Sequence, residues 1–192
     1  MRLLKHRSTR FYLMFFVILA MAIGGSVAAF ADSGTGATVA VTGGSLSETG
    51  PSAVSATPVT LTGDDQTTNY SMGLTVNDPR GSGVGWNLTI TSTTFTSGSN
   101  KLSTTASSIN AVPSVTCFAG SSCTNPDDSA ITYPVGVPAA ATAPTPVKFF
   151  DAATNTGMGK FTITPTVTIA IPANTAAGTY TSTISVAVVS GP

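Results

Sequence analysis

Apolar and polar residues alternate with a period of two over most of the chain beyond residue 31. The clearest run begins at Trp86. Trp86, Leu88 and Ile90 fall on one side, and Asn87, Thr89 and Thr91 on the other. A period of two marks a strand with one buried face. The same pattern predicts strands from Ala37 to Val41, around Val59 and Leu61, and from Asn69 to Asn77, with Tyr70, Met72, Leu74 and Val76 inward. It predicts further strands from Val112 to Phe118, through Ile131, Tyr133, Val135 and Val137, and from Val147 to Phe150.

The last third is the most regular. Phe161, Ile163, Val167, Ile169 and Ile171 share one face, with Thr162, Thr164, Thr166 and Thr168 opposite. Pro165 has no N–H, which puts this strand at a sheet edge or gives it a bulge. After the connector from Pro172 to Gly178, a closing strand turns Tyr180, Ile184, Val186 and Val188 inward. The short connector predicts that these two segments pair with each other, antiparallel. The closing strand is also expected to be essential, so that a chain ending at Pro172 does not fold. No segment sustains a helical period. About nine short strands separated by turn residues predict an all-β fold, a single antiparallel β-sandwich or partly closed barrel.

Two stretches interrupt the alternation. From Phe95 to Asn110 the chain is polar and serine-rich, with Leu102 and Ile109 as its anchors. From Pro138 to Pro146 the sequence PAAATAPTP reads as an extended, polyproline-like surface loop within one domain.

The first residues follow a different rule. Arg2, Lys5, Arg7 and Arg10 precede an apolar run from Phe11 to Val27, and Ala29-Phe30-Ala31 forms an A-x-A site. This is the layout of a secretory signal peptide over residues 1–31, cleaved after Ala31. The alternative is a retained anchor, since the apolar run approaches spanning length. Cleavage leaves one domain, residues 32–192, with no stable membrane span. It also leaves Arg80, Lys101, Lys148 and Lys160 against all eight acids, a net charge of −4. That balance excludes nucleic acid as a partner, which needs a basic patch. The single histidine, His6, departs with the signal, and imidazole-dependent triads depart with it.

Few residues remain for chemistry. Cys117 and Cys123 enclose five residues, which in an exported chain predicts one disulfide. A loop that short contributes roughly 2 kcal/mol by chain entropy. The spacing is not C-x2-C and no histidine remains to complete a zinc site. Asp64-Asp65 and Asp127-Asp128 are adjacent pairs, so their side chains diverge along an extended backbone, and their neighbours are turn residues. They read as solvated turns, with calcium binding as the alternative. Gly81-Ser82-Gly83-Val84-Gly85 precedes a strand rather than a helix, which removes the helix N-terminus a phosphate loop needs. No cofactor, metal or catalytic set is expected. Trp86 has two readings, as a core side chain or as an aromatic platform for a surface polymer. The Asp78 turn and its glycines are expected to be the exposed part of this region.

Asp78-Pro79-Arg80-Gly81, followed by Gly85-Trp86-Asn87-Leu88-Thr89-Ile90 and Phe95, resembles the first signature of the WxL-domain proteins of Gram-positive bacteria. That signature is a D-x-R-G turn entering a W-x-L strand. The closing segment from Gly178 to Pro192 resembles the second, Y-x-x-x-L-T-W-x-L, with one departure: Val186 and Val188 stand at the tryptophan and leucine positions. The resemblance runs from about Val39 to Pro192. It implies a secreted, non-catalytic protein attached non-covalently to the cell wall through peptidoglycan. Asp78, Arg80, Trp86, Leu88 and Tyr180 are the matching positions for wall binding. A second class of function also fits the low charge and the threonine-rich strands. It is a structural subunit of an extracellular layer, filament or matrix, which would pair with other surface proteins edge to edge.

Overall fold

Tyr70, Met72, Leu74 and Val76 are all buried, as their alternation requires, yet they do not belong to one strand. The computed structural model describes residues 36–192; the expected signal segment and its expected cleavage site at Ala31 lie outside the described residues. These contain fourteen strands: β1 (Ser47–Thr49), β2 (Gln66–Ser71), β3 (Leu74–Asp78), β4 (Trp86–Thr93), β5 (Thr96–Ser97), β6 (Asn100–Lys101) and β7 (Ser107–Ile109), then β8 (Ser114–Cys117), β9 (Val135–Gly136), β10 (Ala139–Ala140), β11 (Val147–Ala152), β12 (Gly159–Thr164), β13 (Thr166–Ile171) and β14 (Ile184–Ser190). No helix occurs among them, and none that could cross a membrane. The fold is all-β and sandwich-like, and its sheets do not close into a barrel. Two compact units are distinguished. Residues 36–40, the described part of the first, are exposed and carry no regular structure; the strands all lie in the second, Val41–Pro192. The strand expected from Ala37 to Val41 does not form: no partner strand borders it, and both Val39 and Val41 are exposed.

Two long ribbons carry the architecture. One runs through β2 and β3, the other through β12 and β13, and they pair antiparallel in a single register: Ser71 opposite Thr166, Leu74 opposite Ile163. Each ribbon breaks at the same level, at Met72-Gly73 and at Pro165. There the Met72 N–H donates to the Pro165 carbonyl at 3.1 Å, and proline has no N–H to return. The ribbons thus serve two sheets, ordered β1-β3-β12-β8 and β2-β13-β7-β9. Pro165 is therefore at neither an edge nor a bulge. Both β12 and β13 are central, and the proline marks the passage from one sheet to the other.

The third sheet is built on β4. β14 pairs along its whole length on one side, Ser190 opposite Trp86 and Ile184 opposite Ser92. β11 and then β10 occupy the other side. This corrects the expected pairing of the last two long segments: β14 crosses to the tryptophan strand, and β13 lies between β2 and β7. All ladders are antiparallel except the two-residue β10, which is parallel to β4. Side chains from all three sheets meet in one core around Trp86, Leu88, Phe149, Phe150, Phe161 and Ile163.

Loops depart from expectation where tertiary contacts recruit them. The Pro138–Pro146 stretch is an irregular, mostly exposed segment over 141–146, but it is tied to the sheet. It contributes β10, and the Thr91 hydroxyl donates to the carbonyl of Pro144 at 2.8 Å, so Thr91 on the outward face of β4 is buried. The segment around Val59 and Leu61 forms no strand. It runs beside β2, where Thr57 N–H bonds the Asn69 carbonyl at 3.3 Å and Gln66 Nε2 bonds the Thr60 carbonyl at 3.1 Å. Of the run from Ile131 to Val137, only Val135–Gly136 is strand. Leu102 and Ile109 are buried anchors.

Candidate functional site

Asp78 ends β3, and the chain reverses through Pro79-Arg80-Gly81 before reaching Trp86. Proline pre-sets one turn dihedral, and Gly81 takes a positive φ of 65° that a side chain disfavours. The turn folds Arg80 back over its own neighbour. Arg80 Nε donates to Asp78 Oδ1 at 2.7 Å and Nη2 donates to Oδ2 at 2.9 Å, a bidentate fork. The same Nη2 reaches the Gly85 carbonyl at 2.7 Å, and Nη1 reaches Ser190 Oγ at 2.6 Å. One guanidinium therefore ties together the turn, the entrance to the tryptophan strand and the end of β14. Burial pushes the Asp78 carboxyl up, but the hydrogen bonds and positive charge of Arg80 outweigh it and hold the group below the usual carboxylate range.

The C-terminal residues add two more ties. Gly191 N–H donates to the Gly85 carbonyl at 3.1 Å, and Asn87 Nδ2 donates to the Gly191 carbonyl at 2.8 Å. This explains why Asn87, on the nominally outward face, is buried.

Trp86 is 0% exposed. Its ring stacks on Phe150 with centroids 5.9 Å apart, and its indole N–H donates to the Gly157 carbonyl at 2.8 Å. Gly157 has φ of 68°, and a Cβ there would lie 2.6 Å from the indole nitrogen, so only glycine fits. The turn carrying Gly157 is braced from beyond: Gly157 N–H donates to the Thr124 carbonyl at 2.8 Å, one residue past the Cys117–Cys123 disulfide. The expected disulfide is thus in place, and its loop supports the segment that holds the tryptophan.

The structure brings Asp78, Arg80, Trp86 and Leu88 into one unit, with Asp78, Trp86 and Leu88 buried and the Arg80 side chain 16% exposed. What faces solvent is the crest of the turn: Pro79, Gly81, Ser82 and Val84. Gly83 and Gly85, expected to be exposed, are buried. Gly83 packs on Asn155, and a Cβ on Gly85 would strike the Ala152 carbonyl. Tyr180 is not part of this unit. It precedes β14 at the opposite end of the sheet, half-buried, with its hydroxyl donating to the Ala176 carbonyl at 3.0 Å. Val186 and Val188, the positions departing from the second signature, sit beside Ile90 and Leu88 on the neighbouring strand. The two signature segments are therefore adjacent ladders of one sheet.

Ser190, Asn87 and Gly157 complete the unit, and sequence reasoning missed all three as partners. A serine or glycine near a terminus or in a turn carries no pattern that names a partner far along the chain. The aspartate pairs are turn caps rather than a cluster. Asp65 Oδ1 accepts from Ala173 N–H at 2.8 Å and Asp127 Oδ1 from Ser129 N–H at 3.0 Å. Among the described residues, no three of His, Cys, Asp and Glu converge as metal ligands.

The family model described as WxL domain surface cell wall-binding matches residues 35–192 of this chain. No curated protein and no solved structure matches it.

Proposed function

The chain belongs to the WxL family of surface cell-wall-binding domains, and from that premise we propose that it is an exported, non-catalytic module that attaches non-covalently to peptidoglycan. The surface in contact with the wall is the crest of the Asp78–Trp86 loop, namely Pro79, Gly81, Ser82 and Val84 with the exposed edge of Arg80. Asp78, Trp86 and Leu88 act from beneath by fixing the shape of that crest. Tyr180 acts at the other end of the sheet. The observation that carries this reading is the Arg80 clamp, which joins both signature segments through Asp78, Gly85 and Ser190. A loop held at so many points loses little entropy on binding. Its carboxylate is already engaged by arginine.

Sedimentation with purified peptidoglycan tests the proposal. The wild-type protein is expected in the wall pellet. Val84→Asp, on the exposed crest, is expected to keep the melting temperature while shifting protein to the supernatant. A folded wild type that stays wholly in the supernatant rejects wall attachment. Full retention of the Val84→Asp variant in the pellet rejects the crest as the contact.

A further inference from the structure

The sheet built on β4 ends abruptly at β14. Among the described residues, only one side of that strand is paired. Thr93 N–H donates to the Thr183 carbonyl and Gly191 N–H to the Gly85 carbonyl, which sets the odd-numbered residues of β14 toward β4. The backbone N–H and C=O groups of Ile184, Val186, Val188 and Ser190 therefore point away from the sheet, and among the described residues no other strand is laddered to them. Edge strands are normally blunted by lysine, proline or a bulge. The sequence ISVAVVS has none of these. Its inward side chains, Ile184, Val186 and Val188, are only half-buried.

Beside this edge lies a cleft of about 1130 Å³. One wall is the segment from Pro51 to Leu61, and the other is the chain from Thr175 to Val186. The floor is apolar core seen from the side: Tyr70, Met72, Phe95, Leu102, Ile169 and Ile171. β1, which carries Glu48, lies near β14, and Glu48 and Tyr180 both line the cleft. The cleft has one charged lining residue, Glu48. Burial pushes its carboxyl up, as expected of an acid with no cationic partner.

We propose that the free edge of β14 and the adjoining cleft form a strand-addition site for an extended segment of a partner protein, with apolar residues at alternate positions and a basic residue near one end. Each feature selects for that chemistry. Unpaired backbone groups at every second residue match only another extended backbone. The apolar floor accepts side chains on one face of the added strand, spaced by two. Glu48 accepts the basic group. Val186 helps to keep the site open, because the bulkier tryptophan of the second signature at this position would fill part of the mouth. This proposal does not rest on wall attachment at the Asp78–Trp86 crest, although Tyr180 lines the cleft.

The probe is a synthetic twelve-residue peptide alternating threonine with valine, with one arginine at either end, added to the full-length protein. Binding is expected to slow hydrogen exchange at the amides of Val186 and Val188. N-methylation of one alternate set of peptide amides is expected to weaken binding at least about tenfold, and methylation of the other set to leave it unchanged. Val186→Trp is expected to weaken binding while preserving the fold. Glu48→Gln is expected to weaken only the arginine-bearing peptides. Equal effects of the two methylation sets, or no exchange protection at millimolar peptide, overturn the proposal whether or not the Trp variant folds. Concentration-dependent dimers with the β14 amides already protected also overturn it, because the occupant is then a second copy of the chain.

Discussion

The two ends of the β4–β14 pair differ sharply although they belong to one ladder. At the Trp86–Ser190 end, the strands are sealed by the Arg80 fork, by Asn87 on Gly191 and by the indole bond to Gly157. At the Ser92–Ile184 end, the same ladder borders an open cleft, lined on the β14 side by Ile184 and Val186. The strand chemistry is similar at both ends. The difference lies in what ties the ladder: a turn with a charged clamp at one end, and at the other only uncharged bonds between neighbouring strand ends, Thr183 N–H to Thr93 Oγ1 at 2.8 Å and the Thr96–Thr181 bridge. The charged clamp coincides with the first signature.

The largest test of that contrast removes β14 altogether. A chain ending at Pro172 loses the partner of β4 along its full length, together with Ser190 and Gly191, and is expected to show no cooperative thermal transition. Retention of a sharp transition by calorimetry would mean that β4 is held adequately by β11 alone. Next, Trp86→Ala is expected to cost about 3–5 kcal/mol, because it opens a cavity and strands the Gly157 carbonyl. Val186→Ala, at the half-exposed edge, is expected to cost about 1 kcal/mol or less. Urea midpoints with unchanged slopes measure both, and equal losses would erase the distinction between sealed and open ends.

A third prediction concerns pH. The folded-state pKa of Asp78 lies below its unfolded value, so its stabilising contribution is complete above about pH 4 and is lost as pH falls through the lowered folded value. The stability gap between wild type and Asp78→Asn is therefore expected to be widest near neutrality and to close in acid. A gap independent of pH would mean that the fork works through shape rather than charge. An effect between those of Trp86→Ala and Val186→Ala is expected at the brace. Replacing Cys117 and Cys123 by serine is expected to cost roughly 2 kcal/mol, lowering Tm by roughly 4–8 °C. A near-UV signal from Trp86 that is unchanged after this replacement would show that Gly157 holds the ring without the disulfide.

Periodicity made the inward residues legible. Tyr70, Met72, Leu74, Val76, Trp86, Leu88 and Ile90 are buried as their alternation demands, because the facing of a strand residue depends only on its local spacing. The family signatures were legible in the same local sense, as was the short-range pairing of Cys117 with Cys123. Strand partners were not. Alternating threonine with valine or isoleucine reads alike at β13 and β14, so proximity along the chain suggested that they pair, whereas β14 pairs with β4. The same limit hid the burial of Asn87 and Thr91, whose covers arrive from Gly191 and from Pro138 and Pro144.

By itself, then, the sequence determined the all-β class, the inward face of each main strand, the cysteine bridge and the two signature segments. Tertiary structure decided that these segments lie side by side, that Arg80 locks them, and that the far end of their ladder opens on a cleft. The physical reason is that a side chain's facing is set by backbone geometry over two residues. Pairing and clamping are set by contacts between residues separated by up to 110 positions, as with Arg80 and Ser190.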